Sequence, residues 1–370
     1  MKLGDVTEIL RGVTFDKKLQ TTERTRNIVL TADNITLDGH FSIEKEIFVS
    51  ETVDFKSEKK LRKNDCFMCF SSGSRNHVGK VALIEQDTDF YAGGFMGILR
   101  AKSNISPRFL YEILNTENIR NLVRFSANGT NILNLSNSIG ETKIPLPPLD
   151  VQKSIVAECE QVDAEYQNAQ KEIADCKAKI TEIMANVQGE ERRLGDIGKI
   201  CMCKRVMKNE TNQNNGVPFF KIGTFGGTAN AYISIELYEK YKTQYPYPKK
   251  GQILISAAGT LGKSVVFDGK PAYFQDSNIV WIDNDESFVL NTYLFCVLKT
   301  VDWKKYATDG SVIPRIYNDN LRSVTIPVPS LAEQKRIVGL VEAEEQKIAA
   351  AKRIMAECPE RKQAVLQKWL

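Results

Sequence analysis

Histidine is nearly absent from this chain: His40 and His77 are the only two in 370 residues. Neither has a carboxylate or cysteine at a recognised ligand or catalytic spacing, which excludes most histidine-based catalysis and metal binding. Long hydrophobic runs are missing too, and no segment approaches the ~18 apolar residues of a membrane span. The opening Met1-Lys2-Leu3-Gly4-Asp5 has no apolar stretch of the kind a secretory signal needs. Eight cysteines without such a signal point to thiols in a reducing, cytoplasmic setting rather than a disulfide framework. Formal net charge is only +4, so there is no polybasic tail. Asn-Pro-Pro-Tyr methyltransferase signatures and Pro-Asp…Glu-x-Lys nuclease signatures do not occur. The expectation is a chain with no catalytic centre, no metal and no cofactor of its own.

Two stretches imitate chemistry. Ala257-Ala258-Gly259-Thr260-Leu261-Gly262-Lys263-Ser264 lacks only the first glycine of a P-loop, and Val280-Trp281-Ile282-Asp283 imitates its downstream strand. That glycine is needed where the loop turns tightly around phosphate, so a turn between two strands is the better reading. Cys66-Phe67-Met68-Cys69 is a lone C-x-x-C in a strand-like run, and Cys201-Met202-Cys203 is the other close pair. Small buried hydrophobes explain both more simply than zinc, which would require two separate segments to meet.

What the chain does have is repetition. Residues 144–156, Ile-Pro-Leu-Pro-Pro-Leu-Asp-Val-Gln-Lys-Ser-Ile-Val, match residues 326–338, Ile-Pro-Val-Pro-Ser-Leu-Ala-Glu-Gln-Lys-Arg-Ile-Val, at eight of thirteen positions. Gly129-Thr130-Asn131-Ile132 parallels Gly310-Ser311-Val312-Ile313. Gly79-Lys80 parallels Gly262-Lys263, and Lys2-Leu3-Gly4-Asp5-Val6 parallels Arg193-Leu194-Gly195-Asp196-Ile197. The order is kept throughout, so one unit of about half the chain is duplicated. Residues between the anchors match poorly, which predicts two similar scaffolds with different surfaces.

Each repeat reads as a strand-rich body with a helical tail. Short apolar runs at 65–70, 78–84, 93–99, 251–255, 264–267 and 277–282 predict strands, and 106–115 and 289–300 predict short helices. The first tail carries Ile155, Cys159, Val162, Tyr166, Ala169, Ile173, Cys176, Ile180, Ile183 and Val187 at alternating steps of four and three. That is a heptad seam asking for a helical partner. The second gives Ile337, Val341, Glu344, Ile348, Ala351, Met355, Cys358, Lys362, Val365 and Trp369, with Glu344 and Lys362 spoiling the seam and Pro359 expected to kink or interrupt the helix. Residues 146–191 carry net −6 and residues 326–370 net +2, a complementarity that favours mutual pairing of the tails. Two separate amphipathic helices, each packed on its own body, remain open as the alternative.

The bodies carry net +2 (1–145) and +6 (192–325), with basic and amide residues gathered at 56–63, 71–77, 204–215 and 304–305. Such side chains on loops reach phosphates and base edges.

The ordered anchors resemble the specificity subunit of a Type I restriction–modification system. The resemblance rests on Ser-x-x-Gly-Thr-Leu-Gly-Lys at 256–263 with its counterpart ending Gly79-Lys80, on Gly310-Ser311-Val312-Ile313-Pro314-Arg315, and on the Pro-rich joint at 144–153 that recurs at 326–335. It covers the whole chain. One departure is Asn131-Ile132-Leu133-Asn134 in the first body, where the second has Ile313-Pro314-Arg315. The resemblance implies an α+β fold: two mixed target recognition domains in pseudo-two-fold repeat, separated by two long helices pairing as an antiparallel coiled coil. The expected domains are 1–145 and 191–326, with spacer helices at 146–190 and 327–370. It further implies a non-catalytic subunit that binds double-stranded DNA, each domain reading half of a bipartite target. Two methyltransferase subunits would dock on it and a restriction/translocase subunit would join, with methyl donor and ATP on those partners. A first tail helical over 149–187 spans roughly 58 Å, about 17 base pairs of duplex. Ser74, Arg75 and Asn76 are the candidate readers in the first body, and Gln213, Asn230 and Thr260 in the second. Ile155, Val162, Ile173, Ile180, Ile337, Val341, Ile348 and Val365 are the candidate helix-pairing residues. A coiled-coil adaptor whose bodies bind protein is the competing reading.

Overall fold

The computed structural model describes residues 1–37, 39–74, 76–127, 133–135, 138–308 and 314–370, except the Ser126 side chain. The chain forms two compact units, one of residues 1–169 with 353–370, the other of residues 170–352.

In the first unit, eight strands form two four-stranded sheets. They are β1 (Thr7–Arg11), β2 (Gln20–Thr21), β3 (Asn27–Leu30), β4 (Ile47–Val49), β5 (Asp65–Cys69), β6 (Val81–Leu83), β7 (Phe90–Ala92) and β8 (Met96–Ala101). The orders are β1-β8-β5-β6 and β2-β4-β3-β7, antiparallel except for the parallel pair β3–β7. Helices α1 (Pro107–Leu114) and α2 (Glu117–Ser126) follow. The second unit reproduces this plan. Its strands are β9 (Lys199–Met202), β10 (Thr211–Asn212), β11 (Val217–Phe220), β12 (Tyr232–Ile233), β13 (Ile253–Ser256), β14 (Ser264–Val266), β15 (Tyr273–Phe274) and β16 (Ile279–Asp283). Their orders, β9-β16-β13-β14 and β10-β12-β11-β15, are the same, with the equivalent pair β11–β15 again parallel. This unit inserts helix α4 (Ile235–Gln244), and α5 (Asn291–Leu298) stands where α1 does. The long helices are α3 (Leu149–Ala185) and α6 (Leu331–Trp369), each contributing residues to both units.

The repeated residues are scaffold devices. Gln152 and Gln334, one turn into the two long helices, are fully buried. Gln152 accepts the Ser106 N–H at 2.8 Å and donates to the carbonyls of Pro147 (2.9 Å) and Asn104 (3.3 Å). Gln334 accepts the Leu290 N–H at 2.8 Å and donates to Pro329 (2.9 Å) and Phe288 (2.8 Å). In both repeats one amide therefore ties the Pro-rich joint to the approach of the short helix. The Gly-Lys pair is the second device. Gly79 and Gly262 adopt φ of +78° and +73° at the close of the β5–β6 and β13–β14 hairpins. A Cβ on Gly262 would lie 2.0 Å from the Trp303 indole nitrogen, so only glycine fits. The following lysine turns inward. Lys80 donates to the carbonyls of Ala32 (2.7 Å) and Ile35 (2.6 Å), and Lys263 donates to Phe225. Burial lowers the Lys80 pKa, but these carbonyls solvate its charge. The P-loop-like stretch is a hairpin whose lysine is committed to its own backbone.

The first tail is helical to Ala185, two residues short of 187. It stops where Gly189 meets the start of the antiparallel pairing of Glu190–Arg193 with Thr325–Val328; a Cβ there would lie 2.6 Å from the Pro329 nitrogen. The expected interruption at Pro359 does not occur, and α6 runs through it. Pro359 is exposed, and the helix continues although the missing N–H leaves the Met355 carbonyl without that helix bond. Neither Glu344 nor Lys362 breaks the seam. Glu344 accepts from Lys347 at 2.6 Å, and Lys362 sits 2.6 Å from Asp163 and 3.2 Å from Glu112. The two thiols of the C-x-x-C pack in different cores: Cys66 lies with Phe109 and Leu110, Cys69 with Phe67 and Ile98.

Candidate nucleic-acid interface

Strand register brings several loops to one end of the β10-β12-β11-β15 sheet. Lys221 follows β11 and Gln275 follows the parallel β15, while Gln213 leaves β10 and Asn230 precedes β12 at that same end. The β13–β14 hairpin closes over it, with Gly259 N–H donating to Pro314 at 3.1 Å. A groove of about 320 Å³ results, lined by Arg205, Lys208, Thr211, Phe219, Lys221, Gln275–Asn278 and Arg315. Arg205, Lys208 and Lys221 are exposed, whereas Arg315 is half-buried. Arg205 pairs with Asp276 at 2.8 Å, and Arg315 donates to the Asn278 side-chain oxygen at 2.6 Å. Ser277, between them, holds a φ of +54°, a conformation uncommon outside glycine.

The first unit has a groove in the equivalent place, of about 410 Å³. Thr31–Asp33 follow β3, Gly93–Phe95 follow β7, and Lys45, Ser71–Gly73 and His77 complete it. The backbone correspondence is close. Phe70 N–H bonds Phe95 O at 2.9 Å, as Ala257 N–H bonds Asn278 O at 2.8 Å. Leu135 N–H bonds Phe70 O at 2.9 Å, as Ile316 N–H bonds Ala257 O at 2.8 Å. Asn134 therefore stands where Arg315 stands, and the exposed ring of Phe95 where Asn278 stands. The contents differ. Lys45 is neutralised by Asp33 at 2.5 Å, whose carboxyl that hydrogen bond holds below its ordinary range, so this groove is less basic than its counterpart.

Ser74 and Asn76 are exposed in the β5–β6 hairpin beside the groove, and Arg75 lies outside the described residues. Gln213 and Asn230 are exposed at the groove end of their sheet, and Thr260 is exposed at its hairpin tip, its carbonyl accepting the Ser256 hydroxyl. Lys221, Gln275, Asn278, Arg315 and Phe95 escaped the sequence reading because register, not spacing, gathers them. Arg315 had a signal: it lies in a repeated anchor at the place where the two bodies diverge.

The tails meet within each unit. In the first, ion pairs join Glu158 to Lys368 (2.8 Å), Asp163 to Lys362 (2.6 Å) and Glu165 to Arg361, rising along α3 as they descend α6, so the helices are antiparallel. Every carboxylate is on the first tail and every cation on the second. Arg108 of α1 bonds both Asp163 and the almost fully buried Glu112. Ile155 and Val162 are buried, and Val365 half-buried, in this unit. In the second unit Ile337 and Val341 are buried in a core that also takes Ile180, and Ile173 and Ile348 are half-buried. Among the described residues no helix is long and apolar enough to cross a membrane.

Comparison with known proteins agrees with this internal duplication. The family described as Type I restriction modification DNA specificity domain matches residues 1–175 and again 186–358. A putative type I restriction enzyme specificity subunit of Haemophilus influenzae, S.HindORF215P, is 41% identical over 295 residues, 72% of this chain and 75% of that one. The StySPI specificity subunit of Salmonella potsdam is 31% identical over 159 residues, 42% of this chain and 34% of its own length. Among solved structures, a chain from a study of assembly and conformational transition of the type I R-M system aligns with TM-score 0.65 at 21% identity, covering 100% of this chain and 96% of that one. The S subunit of M. genitalium aligns with TM-score 0.56 at 16% identity, covering 100% and 95%.

Proposed function

This chain belongs to the family of Type I restriction–modification DNA specificity proteins, and we propose from that premise that its two grooves each read one half of a bipartite DNA site. The observation that carries this reading is the pair of grooves in equivalent places on one repeated scaffold, lined by different side chains. A duplicated frame presents two surfaces to duplex DNA in the same manner, and divergent linings select different bases. Exposed Arg205, Lys208 and Lys221 suit phosphates. Ser74, Arg75 and Asn76 in the first unit, and Gln213, Asn230 and Thr260 in the second, are the candidate readers of base edges. The chain carries no chemistry of its own in this reading. Two methyltransferase subunits dock on it, a restriction/translocase subunit joins them, and methyl donor and ATP bind those partners. The paired tails set the spacing between half-sites.

The test is selection of random-sequence duplex DNA by the complex of this chain with its methyltransferase subunits, paired with methylome sequencing of cells carrying both. A bipartite motif with a fixed gap is expected. Binding without sequence selection would refute the reading and favour a protein-binding adaptor.

A further inference from the structure

We propose that Arg315, positioned by Asn278, reads a guanine in the half-site taken by the second unit. This rests on the DNA-reading role of the grooves and adds the residue and the base. Burial separates Arg315 from the groove's other cations, and its backbone and guanidinium are both held in place. Arg205, Lys208 and Lys221 are exposed, as phosphate-contacting side chains are, whereas Arg315 is half-buried within the lining. Its backbone is fixed on both sides: it bridges Ala258, and its carbonyl accepts both the Thr308 N–H (3.0 Å) and the Thr308 hydroxyl (3.1 Å). Its guanidinium is oriented by the 2.6 Å bond to Asn278, which uses one of five N–H donors. Asn278 is in turn fixed through its carbonyl by Ala257 and follows the strained Ser277. A rigid guanidinium fork set in a concave polar groove matches the O6/N7 pair that guanine shows in the major groove. At the equivalent place the first unit has Asn134, so the guanine contact belongs to one half-site only.

The experiment uses the complex with methyltransferase subunits and a pool of random-sequence duplexes, comparing wild type with Arg315→Met, Arg315→Ala and Asn278→Ala. The wild-type motif should hold a guanine in one half-site that Arg315→Met and Arg315→Ala make indifferent, a loss of about ten- to a hundredfold in discrimination there. Asn278→Ala should relax the same position less strongly. The other half-site should keep its preferences, which shows that the variants are folded. Uniform weakening with all base preferences retained, and a salt dependence shallower by about one phosphate, would make Arg315 a backbone contact and overturn the proposal. Unchanged selection would also overturn it. If the Arg315 variants lose both half-sites, Asn278→Ala decides: relaxation at one guanine supports the proposal, and wild-type selection refutes it. Wild-type complex that selects no sequence refutes the DNA-reading role itself, a distinguishable result.

Discussion

Replacing Gln152 with glutamate changes one NH2 group to oxygen and should cost a large share of the first unit's stability margin at neutral pH. Gln152 is fully buried and uses its amide in both directions: one N–H received and two carbonyls served. An ionised glutamate keeps the bond from Ser106 but places negative charge against the carbonyls of Pro147 and Asn104. Each buried carbonyl left without a donor costs about 1–3 kcal/mol, and desolvation of the charge adds to this. Protonation limits the total, because an acid with its pKa raised by three units costs about 4 kcal/mol at a pH above that value. The expected loss at pH 8 is about 3–5 kcal/mol, against typical totals of about 5–15. The pH dependence has a definite sign. The glutamate pKa is raised in the folded state, so the folded protein binds more protons than the unfolded one. Stability relative to wild type should therefore recover toward pH 5, where the carboxylic acid donates to one carbonyl, and fall as pH rises through the raised pKa. Urea titrations of the full chain at pH 5 and pH 8 measure this, with Gln152→Met as an uncharged control whose deficit is pH-independent. Gln334→Glu should behave alike in the second unit, since it replaces the same three bonds. A Gln152→Glu protein as stable as wild type at pH 8, or one further weakened by acid, would refute the reasoning.

Gly262→Ala should lower stability by at least about 2–3 kcal/mol, since positive φ and the Trp303 contact both oppose a Cβ. Gly259→Ala, with φ of +68° and only an ordinary contact to Ile222 at 3.5 Å, should cost only about 1 kcal/mol; equal melting temperatures for the two would contradict this. All eight cysteines are buried thiols, and burial pushes Cys69 and Cys296 up to about 11 and Cys159 and Cys203 up to about 12. Disulfide-exchange labelling at pH 8 should accordingly be slow and accelerate with urea; rapid native labelling of all eight would refute it. Inserting one heptad into each long helix, near Ala169 and Ala351, adds roughly 10 Å, or about three base pairs of rise. The methylated gap should lengthen or the complex weaken, because three base pairs also turn the far half-site by roughly 100°; the original gap methylated at full rate would show that the helices are not the ruler.

Legibility of the fold followed the kind of residue involved. Gln152 and Gln334, and the Gly79-Lys80 and Gly262-Lys263 pairs, stood out as repeats, and each proves to be a tie whose partners lie at equivalent places in the two repeats. The tails were legible as a seam because burial on a helix follows its period. Lys362 and Glu344 misled because the rule weighs polarity and not partners: Lys362 meets Glu112, 250 residues away, a pairing that no period reveals. Pro359 misled as well, since a lost helix bond is a cost that packing of the flanking turns can outweigh. The grooves were the least legible part. Lys221, Gln275 and Arg315 are separated by up to 94 positions and meet through parallel pairing of β11 with β15 and the bridge of Arg315 to Ala258.

Duplication then makes the two kinds of residue separable. A scaffold tie serves both repeats in the same way, so its substitution should lower stability without changing which base is preferred. A groove residue differs between the repeats, so its substitution should alter one half-site and leave stability near wild type. Asn134 and Arg315 occupy one backbone position in two frames; the frame fixes where the side chain stands, and the side chain fixes what it donates. Exchanging such positions tests specificity on a scaffold that already tolerates both residues. That tolerance is what lets one fold carry two unrelated readings in a single chain.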